Sequence, residues 1–384
     1  MNIGVFFGSR SPEHDVSIIT GEFIISGLKK LGYEVTPVYL DKTGRWFLEQ
    51  GLDKLSFFKD GGNLDKLKSS YLDLEQSRGK MVFKQKRIFG KEVIIDLAFP
   101  AFHGQNGEDG TMQGVFELCN VPYAGCDVAS SAIAMDKVLT KELYRSHGIA
   151  TTKFVSFFAG EFGKSKAEAL DKMADLKYPL FVKPARLGSS IGITKVKNKA
   201  ELIQAIEVAL HYEIKILVEE GVENLMDVTC AVLGNDEPQA SVLQESLFGD
   251  DLFSYEDKYL EAGGAQLGNA KDKLVIPARL DEGTTRSTQE LALRIFKLFG
   301  CSGTARVDFL YDKKNQVMYA NEINTLPGTL YHHLWKKSGV EFAELLKKLI
   351  ELAQEKYTEK KKLTSSFESK ILEQANSLKL KQQS

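Results

Sequence analysis

Residues Arg306–Gly328 read RVDFLYDKKNQVMYANEINTLPG. Residues 312–316 are polar and turn-prone, and apolar segments flank them on both sides, which predicts a β-hairpin. The pairing predicted for this hairpin sets Asp308 opposite Glu322 and Arg306 opposite Asn324. Side chains alternate between the faces of a strand, so these four polar groups share one face and the apolar residues take the other.

The shared polar face suggests a metal and phosphate site. Two carboxylates and an amide oxygen are hard ligands of the kind that Mg²⁺ prefers, and bound phosphate would complete its coordination beside Arg306. An Asp directly opposite a Glu is unfavourable unless a cation lies between them. The alternative is that these residues are the solvent-facing side of an ordinary edge hairpin, and the residues alone leave both interpretations open.

The composition is that of a soluble globular protein with two or three domains. The chain has 384 residues, 43% hydrophobic and 27% charged, with a net charge of −2. This balance gives no indication of a nucleic-acid or membrane surface. The first residues lack the features of a signal peptide and predict a strand. Four cysteines are scattered along the sequence without C-x-x-C spacing, which is typical of reduced thiols, and we therefore expect a cytoplasmic protein.

The first third of the chain predicts a β-loop-α-β unit, the start of an open parallel sheet with ligands at its strand ends. Strands are predicted at 2–8 and 34–41, with a helix at about 16–31 between them. Glu13, before the helix, fits a ligand contact and equally a carboxylate that balances the helix dipole. A buried strand at 93–100 leads to a glycine-rich loop with His103, on the same rim of the sheet. We expect residues 50–80 to form a surface insertion.

The central part of the chain carries a second glycine-rich loop. It follows Lys183 and ends at Gly192, between two predicted strands, and therefore differs from a Walker loop or a Rossmann fingerprint. Its amide and hydroxyl donors suit phosphate, with Lys137 and Lys183 as cations, although a plain hairpin also explains it. We predict one helix over 128–147, a lid over 250–270 and a loosely attached tail from residue 357.

Taken in order, these motifs resemble the D-alanine:D-alanine ligases of the ATP-grasp superfamily over residues 2–355. Each motif is modest alone, and their number and order make the resemblance specific. The matching segments are Ser11–Ser17, His103–Gly114, Met135–Lys137, Lys183–Gly192, Val218–Glu220, Lys258–Tyr259, Arg306–Phe309 and Asn321–Gly328.

The resemblance implies an α/β protein with the three-domain ATP-grasp fold and an N-terminal open parallel, Rossmann-like sheet. The implied units are an N-terminal substrate-binding domain (1–126), a central ATP-grasp subdomain (127–212) and a C-terminal ATP-grasp subdomain (213–356) that carries the lid and the metal hairpin. A polar tail, 357–384, follows. ATP would lie between the second and third units.

The resemblance also implies a role for each matching residue. The implied catalytic residues are Glu13, Ser189, Tyr259, Arg306 and Gly328. The implied substrate-binding residues are Glu13, His103, Asn324, Gly328, His333 and Leu334. The implied nucleotide-binding residues are Lys137, Lys183, Ser189, Ser190, Glu219, Glu220, Val222, Asp227 and Lys258. Two Mg²⁺ ions, replaceable by Mn²⁺, would be held by Asp308, Glu322 and Asn324.

The activity implied is ATP-dependent joining of two D-alanines through an acyl phosphate, giving D-alanyl-D-alanine for peptidoglycan precursors. The partners implied are ATP, D-alanine and a second copy of the chain in a homodimer. One departure concerns the second substrate, because His333 stands where the family has the serine that contacts its carboxylate. A cationic His333 could replace that contact, and a solvent-facing His333 would leave it to backbone N–H groups.

Two other functions remain open from the sequence. One is an ATP-grasp carboxylate–amine ligase with a different acceptor amino acid. The other is a nucleotide-binding protein without catalysis, which the intact set of charged residues disfavours, since a protein that only senses nucleotide could lose any of them. That set is Lys137, Lys183, Arg306, Asp308, Glu322 and Asn324.

Overall fold

The computed structural model describes residues 1–59, 62–85, 90–247, 273–364, 366, 368–369 and 371–372. The predicted lid at 250–270, with Lys258 and Tyr259, lies outside the described residues, as does the end of the predicted tail. Among the described residues, no helix is long and apolar enough to cross a membrane.

The N-terminal unit is built on a seven-stranded sheet. Its strands are β1 (Asn2–Gly8), β2 (Glu34–Leu40), β3 (Trp46–Phe47), β4 (Ser69–Leu72), β5 (Met81–Gln85), β6 (Glu92–Ile95) and β7 (Leu97–Pro100), in the order β6-β5-β4-β3-β2-β1-β7. Its helices are α1 (His14–Lys30), α2 (Leu55–Lys59) and α3 (Thr111–Cys119). The predicted β-α-β unit is therefore present, and the glycine-rich loop does open a helix.

Two expectations for this unit need correction. The sheet is mixed and not purely parallel. Strand β1 pairs in a parallel manner with β2 and β7, whereas the successive pairs from β2 to β6 are antiparallel. Residues 50–80 are not a surface insertion, because β4 continues the sheet. Strand β4 is short and exposed on alternate residues. It therefore lacks the run of apolar residues from which a strand could have been predicted.

The central unit has a four-stranded antiparallel sheet in the order β10-β9-β11-β8. Its strands are β8 (Phe154–Phe158), β9 (Leu180–Pro184), β10 (Thr194–Val196) and β11 (Lys215–Glu220), and its helices are α4 (Val128–Met135), α5 (Lys137–Ser146), α6 (Ala159–Lys164), α7 (Lys166–Asp171) and α8 (Lys199–Ala209). The single helix predicted over 128–147 is wrong. It breaks at Asp136, whose side chain accepts hydrogen bonds from the backbone N–H groups of Val138 and Leu139 and so begins a new helix.

The C-terminal unit has a five-stranded antiparallel sheet in the order β14-β13-β12-β15-β16. Its strands are β12 (Leu225–Gly234), β13 (Gln239–Ser246), β14 (Leu274–Val275), β15 (Gly303–Asp312) and β16 (Val317–Asn324), and its helices are α9 (Glu282–Leu298), α10 (His332–Lys337) and α11 (Phe342–Lys361). Helix α11 packs on α1, so that side chains of the first and last units share one apolar core. This contact fixes the position of the N-terminal rim relative to the β15–β16 hairpin.

Candidate active site

The hairpin has the predicted register at its functional end. Arg306 pairs with Asn324 and Asp308 with Glu322, whereas a bulge shifts the pairing beyond Asp308. Val307, Phe309 and Ile323 lie in the apolar core behind the hairpin. The turn is held by Asp312, which accepts hydrogen bonds from the backbone N–H groups of Lys314 and Asn315 at 3.0 Å each. Side chains alternate between the two faces of a strand, and this alternation places the four polar side chains on one face.

Arg306 and Asp308 form a buried ion pair at the centre of this face. Arg306 donates from Nε and Nη2 to the Asp308 carboxylate at 2.6 to 3.0 Å. Thr229 and Asn324 also donate to that carboxylate, at 3.0 and 3.2 Å. Burial opposes the charge on Arg306, but the adjacent Asp308 raises its pKa above the ordinary value, so the guanidinium stays cationic.

The oxygen ligands on the hairpin fit Mg²⁺ that is shared with phosphate. Glu322 lies 3.6 Å from Lys137 Nζ and 3.9 Å from Arg306 Nη2. Within the described residues no three His, Cys, Asp or Glu side chains form a metal-binding group. Two carboxylates and the Asn324 amide suit a metal that keeps water and substrate oxygens, which is the usual way that Mg²⁺ is bound. Burial raises the pKa of Asp308, although Arg306 opposes the shift.

Glu13 and Ser189 come together from two different units. Both side chains are buried, and the Ser189 hydroxyl donates to the Glu13 carboxylate. Ser189 and Ser190 have φ of 53° and 60°, so the loop after Lys183 adopts the left-handed conformation there. A Cβ on Gly188 would lie 2.7 Å from Glu13 Oε2, so only glycine fits without displacing the carboxylate.

The loop after β7 adds two polar groups to the same place. His103 Nε2 lies 2.8 Å from Thr20 Oγ1, and burial together with Arg306 lowers the pKa of His103 to about 3. Glu108, which the sequence analysis did not single out, accepts a hydrogen bond from the Gly104 N–H at 2.6 Å. Burial and the nearby Glu13 raise the pKa of Glu108 to about 8. Its position in the same glycine-rich loop was the signal that could have identified it.

Two lysines contact the acidic side chain of Glu219, and only one of them, Lys183, was predicted for the nucleotide. Lys137 donates to the Leu187 carbonyl at 2.7 Å. Lys183 contacts one oxygen of the Glu219 carboxylate, and Lys141 lies 2.7 Å from the other. Burial opposes the charge of Glu219, but these two ammonium groups lower its pKa well below the ordinary value. Lys141 was missed because it lies one helical turn after Lys137, in a position that resembles an ordinary polar helix face.

Two adjoining cavities contain most of the described site residues. A small cavity of about 40 Å³ is lined by Glu13, His103, Asn324 and Gly328 among others. A larger cavity of about 790 Å³ lies between the second and third units. Its lining includes Lys183, Ser190, Glu219, Glu220, Val222, Asp227 and Asp308. The two cavities share the residues Lys137, Leu187, Gly188, Ser189, Arg306 and Glu322.

The segment after Gly328 differs from the expectation. Thr329, Leu330 and Tyr331 have φ of 45°, 58° and 49°, and the Arg306 guanidinium lies over the Tyr331 ring at 5.0 Å. His333 Nε2 donates to Gln244 Oε1 at 2.8 Å, and burial with the neighbouring His332 lowers the pKa of His333 to about 4.

A cationic His333 is therefore not available near neutral pH. Neither His333 nor Leu334 is among the residues that line the two cavities, and Leu334 lies in the apolar core. Tyr331, which does line the larger cavity, was not assigned a role among the predicted site residues. Its position shortly after Gly328 was the available signal in the sequence, whereas its contact with Arg306 appears only in the structure.

Family models match both parts of the chain. Residues 2–126 match the model described as D-ala D-ala ligase N-terminus, and residues 143–351 match D-ala D-ala ligase C-terminus. A D-alanine–D-alanine ligase of Thermosipho melanesiensis is 39% identical, with 94% of this chain and 96% of the relative covered. One from Caldicellulosiruptor bescii is 38% identical, with 96% and 99% covered.

Solved structures agree with this assignment. A D-alanine–D-alanine ligase from Coxiella burnetii superposes with a TM-score of 0.77 at 30% identity, covering 94% of this chain and 96% of its own. A D-Ala:D-Ser ligase from Enterococcus faecalis superposes with a TM-score of 0.78 at 34% identity, covering 92% and 99%. The α/β ATP-grasp fold predicted from the sequence is confirmed, and the chain belongs to the D-alanine–D-alanine ligase family.

Proposed function

We propose that the protein joins two D-alanine molecules with ATP, releasing ADP and phosphate, to give D-alanyl-D-alanine for peptidoglycan precursors. The observation that carries the proposal is the pair of adjoining cavities with Lys137, Arg306 and Glu322 at their boundary. The lining of the small cavity, with Glu13 for an ammonium group and Arg306 for a carboxylate, suits an amino acid, and the large cavity suits a nucleotide. The shared residues would then surround the transferred phosphoryl group.

In the first step, a carboxylate oxygen of the first D-alanine attacks the γ-phosphorus of ATP. A P–O bond to the γ-phosphorus forms, the P–O bond to ADP breaks, and an acyl phosphate results. Glu13 holds the ammonium group of the amino acid, and Ser189 orients Glu13 by donating to it. Lys137 and Lys183 offset the charge of the phosphates, which is the main requirement of phosphoryl transfer.

In the second step, the neutral amine of the second D-alanine attacks the acyl carbon. The C–N bond forms, the C–O bond to phosphate breaks, and the proton lost by the amine is taken up by the departing phosphate. Arg306, kept cationic by Asp308, and the backbone N–H of Gly328 stabilise the tetrahedral oxyanion, because their charge and dipole point to where negative charge develops. Glu220, Val222 and Asp227 contact the nucleoside in the larger cavity.

Asp308, Glu322 and Asn324 would hold the divalent metal that the family uses. When bound, the metal offsets phosphate charge. We propose two Mg²⁺ ions at this site, with Mn²⁺ able to replace them. We also propose a homodimer, tested by the mass of the purified protein in light scattering, and a cytoplasmic location, where ATP is available.

The test is phosphate release from ATP with Mg²⁺ and a panel of single D- and L-amino acids, followed by mass spectrometry of the products. We expect D-alanine to give phosphate and the D-alanyl-D-alanine mass. D-alanine mixed with D-serine or D-lactate tests the acceptor, for which His333 departs from the family. Phosphate release that needs no amino acid, or that gives no dipeptide, would contradict the proposal.

A further inference from the structure

Lys141 is buried inside the central unit and contacts no substrate cavity. It lies on α5, four residues after Lys137, and its side chain is 1% exposed. It is absent from the lining of both cavities, whereas Lys137 and Lys183 line the larger one. A lysine that is fully buried requires a specific electrostatic partner, because burial disfavours its charge.

The partners of Lys141 use all its hydrogen-bonding capacity. Its ammonium group donates to Glu219 Oε2 at 2.7 Å, to Thr151 Oγ1 at 2.9 Å and to Thr152 Oγ1 at 3.0 Å. Three donors therefore meet three acceptors. Thr152 in turn donates to Glu219 Oε2 at 2.6 Å. Lys141 is consequently a fixed charge, held against one oxygen of Glu219.

The other oxygen of Glu219 contacts Lys183, which faces the large cavity. Among the described residues, Glu219 thus has two neighbouring cations: Lys141, which is fully buried, and Lys183, which lines the larger cavity. A buried carboxylate without a counter-ion is strongly unfavourable. Without Lys141, Lys183 would be the remaining lysine on Glu219 among the residues that the structure describes, and moving it to a phosphate would leave the carboxylate without a neighbouring cation.

We infer that Lys141 is a positioning residue for the nucleotide phosphates: it neutralises Glu219 so that Lys183 can leave Glu219 for the phosphates. The inference rests on the proposed function, in which ATP occupies the larger cavity. Lys141 touches neither ATP nor the amino acids, and its effect passes through Glu219 and Lys183.

The test compares the affinities of ATP and adenosine, measured by calorimetry, for the wild-type protein and Lys141→Met. Methionine keeps most of the side-chain volume and removes the charge. We expect ATP to bind at least about tenfold more weakly, the effect of weakening one charge-assisted hydrogen bond. Adenosine has no phosphate, and its affinity should change by less than about twofold. An equal loss for both ligands, or no loss for ATP, would overturn the inference.

A double substitution separates the charge effect from a packing effect. Glu219→Gln removes the charge that Lys141 balances, so adding Lys141→Met to it should leave ATP affinity within about twofold of Glu219→Gln alone. If Lys141→Met weakens ATP binding by the same factor in both backgrounds, Lys141 does not act through Glu219 and the inference is wrong. This comparison also serves if Lys141→Met alone does not fold.

Lys215→Met is the matched control. Lys215 is a partly buried lysine of the central unit, with its side chain 12% exposed and its Nζ 2.9 Å from Asp136, and it lines neither cavity. Its loss should lower thermal stability without a difference between ATP and adenosine. If the wild-type protein does not bind ATP, the proposed function itself is wrong. If the wild-type protein binds ATP, the ATP affinities of the variants test only the role of Lys141.

Discussion

At the scale of single residues, the approach of Gly188 to the Glu13 carboxylate gives a direct test of the first subsite. We predict that Gly188→Ala raises the KM for D-alanine in the first subsite at least about tenfold, because the new Cβ would lie 2.7 Å from Glu13 Oε2 and displace the carboxylate. Steady-state kinetics with D-alanine and ATP varied separately measures this. The KM for ATP should change much less.

Gly160→Ala is the matched control. Gly160 lies in α6, and a Cβ there would meet nothing within 4 Å. Alanine should leave kinetics unchanged and stabilise the protein by up to about 1 kcal/mol through helix propensity. Unchanged D-alanine kinetics in Gly188→Ala would show that Glu13 does not bind the first substrate.

Glu322 is one of the proposed metal ligands and lines both cavities. Replacing it by glutamine tests the contribution of its charge. Glu322→Gln keeps the shape and removes one ligand charge beside Lys137 and Arg306. We predict a loss of kcat of about a hundredfold or more, as expected when a main electrostatic contribution to the transition state is lost. The exposed Glu351→Gln should retain wild-type activity. Mg²⁺-dependent turnover near the wild-type rate in Glu322→Gln would contradict the metal assignment.

The depressed pKa of His103 makes stability depend on pH. In the unfolded chain the imidazole takes up a proton near pH 6.5, whereas in the folded protein it does so only near pH 3, so stability falls as pH decreases from about 6.5. The contribution of His103 to the loss between pH 6.5 and pH 4 is about 3 kcal/mol.

The measurement is the free energy of unfolding by denaturant across pH 4 to 8. His103→Gln should flatten the curve below pH 6.5, whereas the same substitution of the exposed His211 should not. Equal slopes for the wild-type protein and His103→Gln would contradict the neutral, buried state of His103.

At the scale of elements, the break between α4 and α5 delivers Lys137 to the site. Asp136 caps α5 and also pairs with Lys215, at 2.9 and 3.0 Å. We predict that Asp136→Ala destabilises the protein by about 3 kcal/mol and raises the KM for ATP, because the first turn of α5 loses its cap and Lys215 its counter-ion.

Two further variants separate these causes. Asp136→Asn keeps the capping oxygen but loses the charge that pairs with Lys215. Its KM for ATP should therefore be close to the wild-type value, while its free energy of unfolding stays lower than that of the wild type. Asp281 caps α9 by accepting a hydrogen bond from the Thr284 N–H at 2.9 Å. Asp281→Ala should therefore lower the free energy of unfolding and leave the KM for ATP unchanged. An ATP KM that is unchanged in Asp136→Ala would mean that the cap does not position Lys137.

At the scale of the whole molecule, the contact between α1 and α11 aligns the N-terminal rim with the hairpin. A Cβ on Gly27 would lie 2.6 Å from side-chain atoms of Leu346 and Phe342. We predict that Gly27→Leu lowers the free energy of unfolding by about 1 to 3 kcal/mol through overpacking, and reduces kcat/KM for D-alanine by shifting Glu13 relative to Arg306.

Thermal unfolding and steady-state kinetics check this prediction. Gly114→Leu, at a helix position where a Cβ meets nothing within 4 Å, is the control for adding a large side chain. If Gly27→Leu changes stability but not kcat/KM, the contact stabilises the fold without positioning the site.

The sequence by itself determined the hairpin and the order of its polar residues. The face that Arg306, Asp308, Glu322 and Asn324 share follows from strand alternation and a short turn, which are local properties. The α/β class and the family followed in the same way, from motifs that are contiguous in the chain.

Only the tertiary structure decided which distant groups meet and which charges they carry. Lys141 and Glu219 are far apart in the sequence, and burial sets their pairing. The pKa values of Glu108 and His333 depend on burial and neighbours that no local pattern encodes. The strand at 69–72 exists because the sheet beside it offers hydrogen bonds, not because its residues favour it. Local periodicity specifies a face, whereas desolvation and charge depend on everything that packs against it.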